Sequence, residues 1–148
     1  MPDTLRYAAL MLAAGIGIPI LAALNAQLGA RIASPTAAAV VLFCVAMLGA
    51  LVVMGITRGY SGFANLPGQP WYLFLAGLLV CFYVLSVTFI APRFGVGNAV
   101  FFVLMGQMIS AAAIDQFGLF GAIMRPITLA RASGLGFMGL GLYLIQRA

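Results

Sequence analysis

The chain has 148 residues, 65% of them hydrophobic and only 6% charged, with a formal net charge of +5. A water-soluble domain carries about 25% charged residues, so this composition excludes one and places the chain in a lipid bilayer. All seven positive charges are arginines set singly between apolar runs, a pattern of membrane-end anchors rather than the clustered basic face of a nucleic-acid binder.

A helix needs about 20 apolar residues to cross a hydrocarbon core of roughly 30 Å. Five segments qualify, over about residues 5–28, 35–56, 70–90, 98–117 and 128–145, which predicts an all-α integral membrane protein with five transmembrane helices in a single transmembrane domain, 1–148. The first segment could be mistaken for a signal peptide. Its charged region is weak, with Arg6 offset by Asp3, and its apolar run exceeds the usual 7–15 residues or so, so it reads as a retained span. Pro19, after Gly15 and Gly17, weakens backbone bonding in mid-helix and predicts a kink. Asn25 and Gln27 come late in this span. The second span starts at Ser34-Pro35, a helix-opening signal.

Pro70-Trp71 opens the third span, and Trp71 and Tyr72 fit an interfacial aromatic belt. Tyr83 and Ser86 within it are either cavity groups or packing residues with satisfied hydroxyls. Cys44 and Cys81 each lie inside an apolar run and read as small packing residues. The chain has no His, so neither a metal nor any other cofactor is expected. Asn98 is the expected N-cap of the fourth span, which carries Gln107, Ser110 and Asp115. In the fifth, Gly134, Gly136 and Gly139 spell GxGxxG. That fingerprint requires a preceding strand and a loop-to-helix turn, so glycines inside an apolar helix read instead as smooth faces for close helix packing.

Asp115 is one of only two acids in the chain. At a helix centre a carboxylate costs about 2.5–3.5 kcal/mol on insertion scales, and less towards an end. Counted from Asn98, Asp115 stands roughly 25 Å along helix four, near the interface that carries Arg125 and Arg131. Two readings stand. The carboxylate pairs with one of those arginines or with loop backbone, or it faces an internal wet cavity and loads a proton or a cationic substrate. Gln107 lies about 80° around the helix from it, with Ser110 on nearly the same broad face; Gln107 either clasps a neighbouring helix or lines a path.

Five spans put the termini on opposite sides. Arg6, Arg58, Arg125 and Arg131 then face one compartment, and Arg31, Arg93 and Arg147 the other. A chain of fixed orientation shows a clear cytoplasmic excess, so this near balance predicts insertion in both directions. Two copies would then pair antiparallel and form an inverted repeat of ten helices, the plan on which many secondary transporters build alternating access. In that pair the late part of helix one lies level with the late part of helix four, bringing Asn25 of one copy towards Asp115 of the other.

The stretch AAGIGIPILAALNAQLGARIASP, the PGQPWYLFLAGLL opening of helix three, the PRFGVGNAV turn and GQMISAAAIDQFGLFG followed by RP resemble the small YdcZ-like branch of the drug/metabolite transporter superfamily. The likeness runs in order along nearly the whole chain. It implies a five-helix half-transporter of a bacterial inner membrane, working singly, as oppositely oriented pairs or as fusions. By the resemblance, Asn25 falls on the helix-one Asn of the pattern, and Gln107 and Asp115 on its helix-four Gln and Asp. Four-helix relatives carry a proton-binding glutamate in helix one. This chain has no Glu, so any proton coupling through a titrating side chain falls to Asp115.

The expectation is a secondary-active carrier of a small molecule, with proton-coupled export of a small cation or metabolite as its suggested form, working as an antiparallel homodimer around a cavity between helices one to four. Its site residues would be Asp115, Gln107, Asn25, Ser110 and Tyr83, with no catalytic or metal-binding residue. A non-transporting scaffold that stabilises a partner membrane protein is the alternative. An enzyme is not expected, because no Ser or Cys has a usable base beside it.

Overall fold

The computed structural model describes residues 2–147, and the side chains of residues 4–145 and of Arg147 within them. The offset of Arg6 by Asp3 lies outside the described residues. Among the described residues the regular elements are helical: α1 (Pro2–Arg31), α2 (Pro35–Thr57), α3 (Ala76–Phe94), α4 (Val96–Phe117) and α5 (Leu129–Arg147), with short 3-10 turns over Gly59–Asn65, Trp71–Leu75 and Leu119–Gly121.

Four stretches are long and apolar enough to span a bilayer: Thr4–Arg31, Pro35–Thr57, Trp71–Phe94 and Val96–Phe117. The fifth expected segment, 128–145, forms the helix α5, whose apolar part Leu129–Ile145 is shorter than the other four stretches, about 25 Å long at 1.5 Å per residue. Two boundaries also move. Gly95, at φ 89°, ends α3 and α4 starts at once at Val96, so Asn98 sits inside the helix rather than capping it. The third span opens as a 3-10 turn after Pro70, becomes α-helical only at Ala76, and runs past Pro92 to Phe94. Helix α1 stays helical through Pro19. At the start of α2, Ser34 Oγ accepts the Ala37 N–H at 3.2 Å with Pro35 at the first helical position, as the sequence predicts.

Two compact units make up the chain, Met1–Val96 and Gly97–Ala148. In the first, α1, α2 and α3 pack pairwise. The buried face of α1 is Ala22, Asn25, Ala26 and Gly29, and that of α3 is Val84, Val87, Thr88 and Ala91. Both follow the i, i+3, i+4, i+7 spacing of one helix face. Small side chains let backbones approach closely, which is what drives helix association where lipid removes the hydrophobic effect. The closest approach is at Gly29, where an added Cβ would stand 3.2 Å from Pro35 Cα and 3.4 Å from Thr88 Cγ2.

The second unit holds α4, a folded loop and α5. Thr128 opens α5: its Oγ1 accepts the Arg131 N–H at 3.2 Å and its carbonyl accepts the Ala132 N–H at 2.9 Å. Within one copy, a Cβ at Gly134, Gly136 or Gly141 would meet nothing within 4 Å, and one at Gly139 would meet only Met105 Cε, at 3.6 Å.

Candidate functional site

Helices α1 and α3 run in the same direction and pack directly against each other, so residues equally far from their ends share a level. Asn25 and Thr88 each stand six residues before the end of their helix. Asn25 Nδ2 donates to Thr88 Oγ1 at 2.6 Å, and the Thr88 hydroxyl donates to the Val84 carbonyl at 2.7 Å. Both residues are buried. A buried amide left unpaired costs about 1–3 kcal/mol, so this bond ties the helices as well as satisfying Asn25. Asn25 also borders an apolar cleft of about 300 Å³ with Leu21, Leu24, Val41 and Val45. Sequence reasoning missed Thr88, although the equal spacing from the helix ends is a signal that identifies it.

Tyr83 is half-buried on α3, and its hydroxyl oxygen is buried without a hydrogen-bond partner among the described residues. A buried phenol normally finds a partner, so this group is an open hydrogen-bonding valence in the first unit.

In the second unit the carboxylate of Asp115 has an ionic partner. Arg131 Nη2 donates to Asp115 Oδ2 at 2.7 Å. Of the two arginines the sequence offered, Arg131 supplies the guanidinium, while Arg125 donates its backbone N–H to the Asp115 carbonyl at 2.8 Å. Gln116 adds a third strap, its Oε1 accepting the Ile127 N–H at 2.6 Å. The loop between them turns through left-handed backbone at Gly118 (φ 59°) and Phe120 (φ 56°). Asp115 and Gln116 therefore fasten the loop that returns the chain from α4 to α5. The pair is not sealed, since the Asp115 side chain is 31% exposed and that of Arg131 29%. The role of Gln116 in this fastening was not visible in the sequence, because it acts on backbone across a loop.

Gln107 and Ser110, on α4, are exposed and have no hydrogen-bond partner among the described residues. Neither bonds to Asp115. Gln107 stands near the middle of the Val96–Phe117 helix, where a bare amide facing hydrocarbon is unfavourable. Of the predicted site residues, then, Asn25 and Asp115 are engaged, while Tyr83, Gln107 and Ser110 keep free polar groups. No group of metal-ligating side chains gathers among the described residues.

Long apolar helices, small-residue packing and sparse polar side chains within the spans define a multi-pass α-helical membrane protein. A family model described as "Putative inner membrane exporter, YdcZ" matches residues 6–144, and the chain belongs to that family. It is accordingly a multi-pass inner membrane protein of an exporter family, not of an enzyme family. No curated protein and no solved structure matches the chain significantly.

Proposed function

We propose that the protein is a secondary-active carrier that exports a small molecule by alternating access, built from two oppositely oriented copies. The supporting observation is the bare polar face of α4. Gln107 and Ser110 lie on a helix of spanning length, exposed and unbonded in one copy. Lipid does not satisfy such groups, so they call for a second chain or a wet passage against α4. The near-even split of arginines fits chains inserted both ways, for which α5 must also cross. At about 25 Å its apolar part does so if Arg131 and Arg147, near its ends, reach out to the headgroups.

In this reading the Asp115–Arg131 pair is the switch. Protonation of Asp115 removes the attraction that holds Arg131, frees the loop fastening, and couples the proton to the change of access. Gln107, Ser110, Tyr83 and the remaining valences of Asn25 orient substrate. Purified protein in liposomes tests this, with currents and fluxes recorded against panels of cations, amines, anions and neutral metabolites at several pH values. Asp115→Asn should fold, pair and still carry substrate with a flattened pH dependence. An unchanged pH dependence would remove the proton role, and the absence of any flux from the purified chain would favour an accessory subunit.

A further inference from the structure

The charges of the folded chain are unevenly matched. Among the described side chains the one ion pair is Arg131–Asp115, and Asp115 is the one acid among them. Among the described side chains the other arginines meet no carboxylate. Two of them, Arg31 and Arg93, end α1 and α3, the two helices that run in the same direction, so one end of the first unit is positive with no acidic side chain near it in sequence.

A cleft of about 330 Å³ opens at that end. Its walls include Gly29 and Ala30 of α1, Pro35 at the start of α2, and Thr88, Phe89 and Arg93 of α3. The Arg93 guanidinium carbon lies 4.1 Å over the centre of the Phe89 ring, and its Nη1 donates to the Phe89 carbonyl at 2.8 Å. Stacking and this bond fix the plane of the group but use one of its five N–H donors. The Thr88 hydroxyl is already bonded on both sides, and the remaining side chains on the walls are apolar. By contrast, the cleft bordered by Asn25 and another, bordered by Phe101, Met105, Met138 and Leu142, are lined without any charged side chain. The volume holds an ion and a few attached carbons. A preoriented guanidinium with spare donors on an apolar, acid-free cleft matches a planar or tetrahedral oxyanion, to which arginine binds in a two-pronged geometry.

We propose that this cleft binds the anionic head, carboxylate or phosphate, of a small molecule or lipid, and that Arg93 is the residue that recognises it. The inference does not depend on transport, because binding is measured without flux. The chemistry is common to a soluble metabolite and to the headgroup of an acidic lipid, and the experiment separates the two.

Full-length protein is purified in a non-ionic detergent and titrated calorimetrically with acetate, inorganic phosphate and tetramethylammonium at constant ionic strength. Native mass spectrometry, in parallel, counts phosphatidylglycerol and phosphatidylcholine retained. Arg93→Gln removes the charge, and Ala30→Phe fills the cleft while keeping it. Both are used after thermal unfolding confirms the wild-type fold. Binding of acetate or phosphate that weakens about tenfold or more in both variants supports a site for soluble anions. Selective retention of phosphatidylglycerol that both variants abolish, with no binding of the free ions, supports the same site filled by a lipid head. If folded Arg93→Gln and Ala30→Phe leave anion binding and lipid retention unchanged, or if tetramethylammonium binds and both variants abolish that binding, the assignment is overturned.

Discussion

The Asp115–Arg131 pair makes a quantitative claim about what holds the α4–α5 connection. Two unit charges about 4 Å apart attract by roughly 4 kcal/mol at an effective dielectric of 20. Both side chains here are close to a third exposed, so solvent screening and the cost of ordering reduce the net value to about 1 kcal/mol. Asp115→Asn keeps a hydrogen-bond acceptor in place and loses mainly the charge. It should lower stability by about 1 kcal/mol, a factor of roughly five in the folded-to-unfolded ratio. Arg131→Gln should cost a similar amount, and the double variant should cost clearly less than the two singles together, with a coupling near 1 kcal/mol. Unfolding in mixed micelles of mild detergent and dodecyl sulfate, followed by far-ultraviolet circular dichroism, supplies the four values. Raising the salt from low to molar concentration should shrink the coupling, because the pair is partly exposed. A coupling below about 0.3 kcal/mol would refute the account of the loop fastening and leave Asp115 free for another partner.

Two further changes probe the first unit. Thr88→Val should cost about 1–3 kcal/mol, because it strands the buried Asn25 amide, whereas Asn25→Leu should cost about 1 kcal/mol or less, because the Thr88 hydroxyl keeps the Val84 carbonyl; thermal unfolding of the two variants checks the order. Gly29→Val should destabilise by about 1–3 kcal/mol by driving α1 off Pro35 and Thr88, while Gly15→Val, with nothing within 4 Å of its Cβ, should be near neutral in the same assay.

Membrane class and helix order were legible in the sequence because hydropathy and chain length are local properties, and the Ser34-Pro35 start was legible because capping is local too. The start of α5 was legible to within one residue, Thr128 serving as its cap before Leu129. Asn98 misled, because a good capping residue is bypassed when Gly95 already ends the preceding helix. Within one copy, close packing occurs at Gly29, because what decides is which face meets a neighbour rather than how many glycines a helix holds. Asp115 was read correctly as standing at the level of Arg125 and Arg131. The sequence could not choose between pairing and a free carboxylate, since that depends on how an 11-residue loop folds back, and the structure records the pair.

Oppositely oriented copies are the centre of the functional account, and the Gly59–Asn65 loop reports orientation directly. Ser61, exposed in that loop, is replaced by Cys in a Cys44→Ala/Cys81→Ala background and labelled in intact cells with a membrane-impermeant maleimide. The account predicts that about half of the chains are labelled from outside, and the rest only after the membrane is opened. Labelling of nearly all chains, or of almost none, before opening would show a single orientation and contradict it.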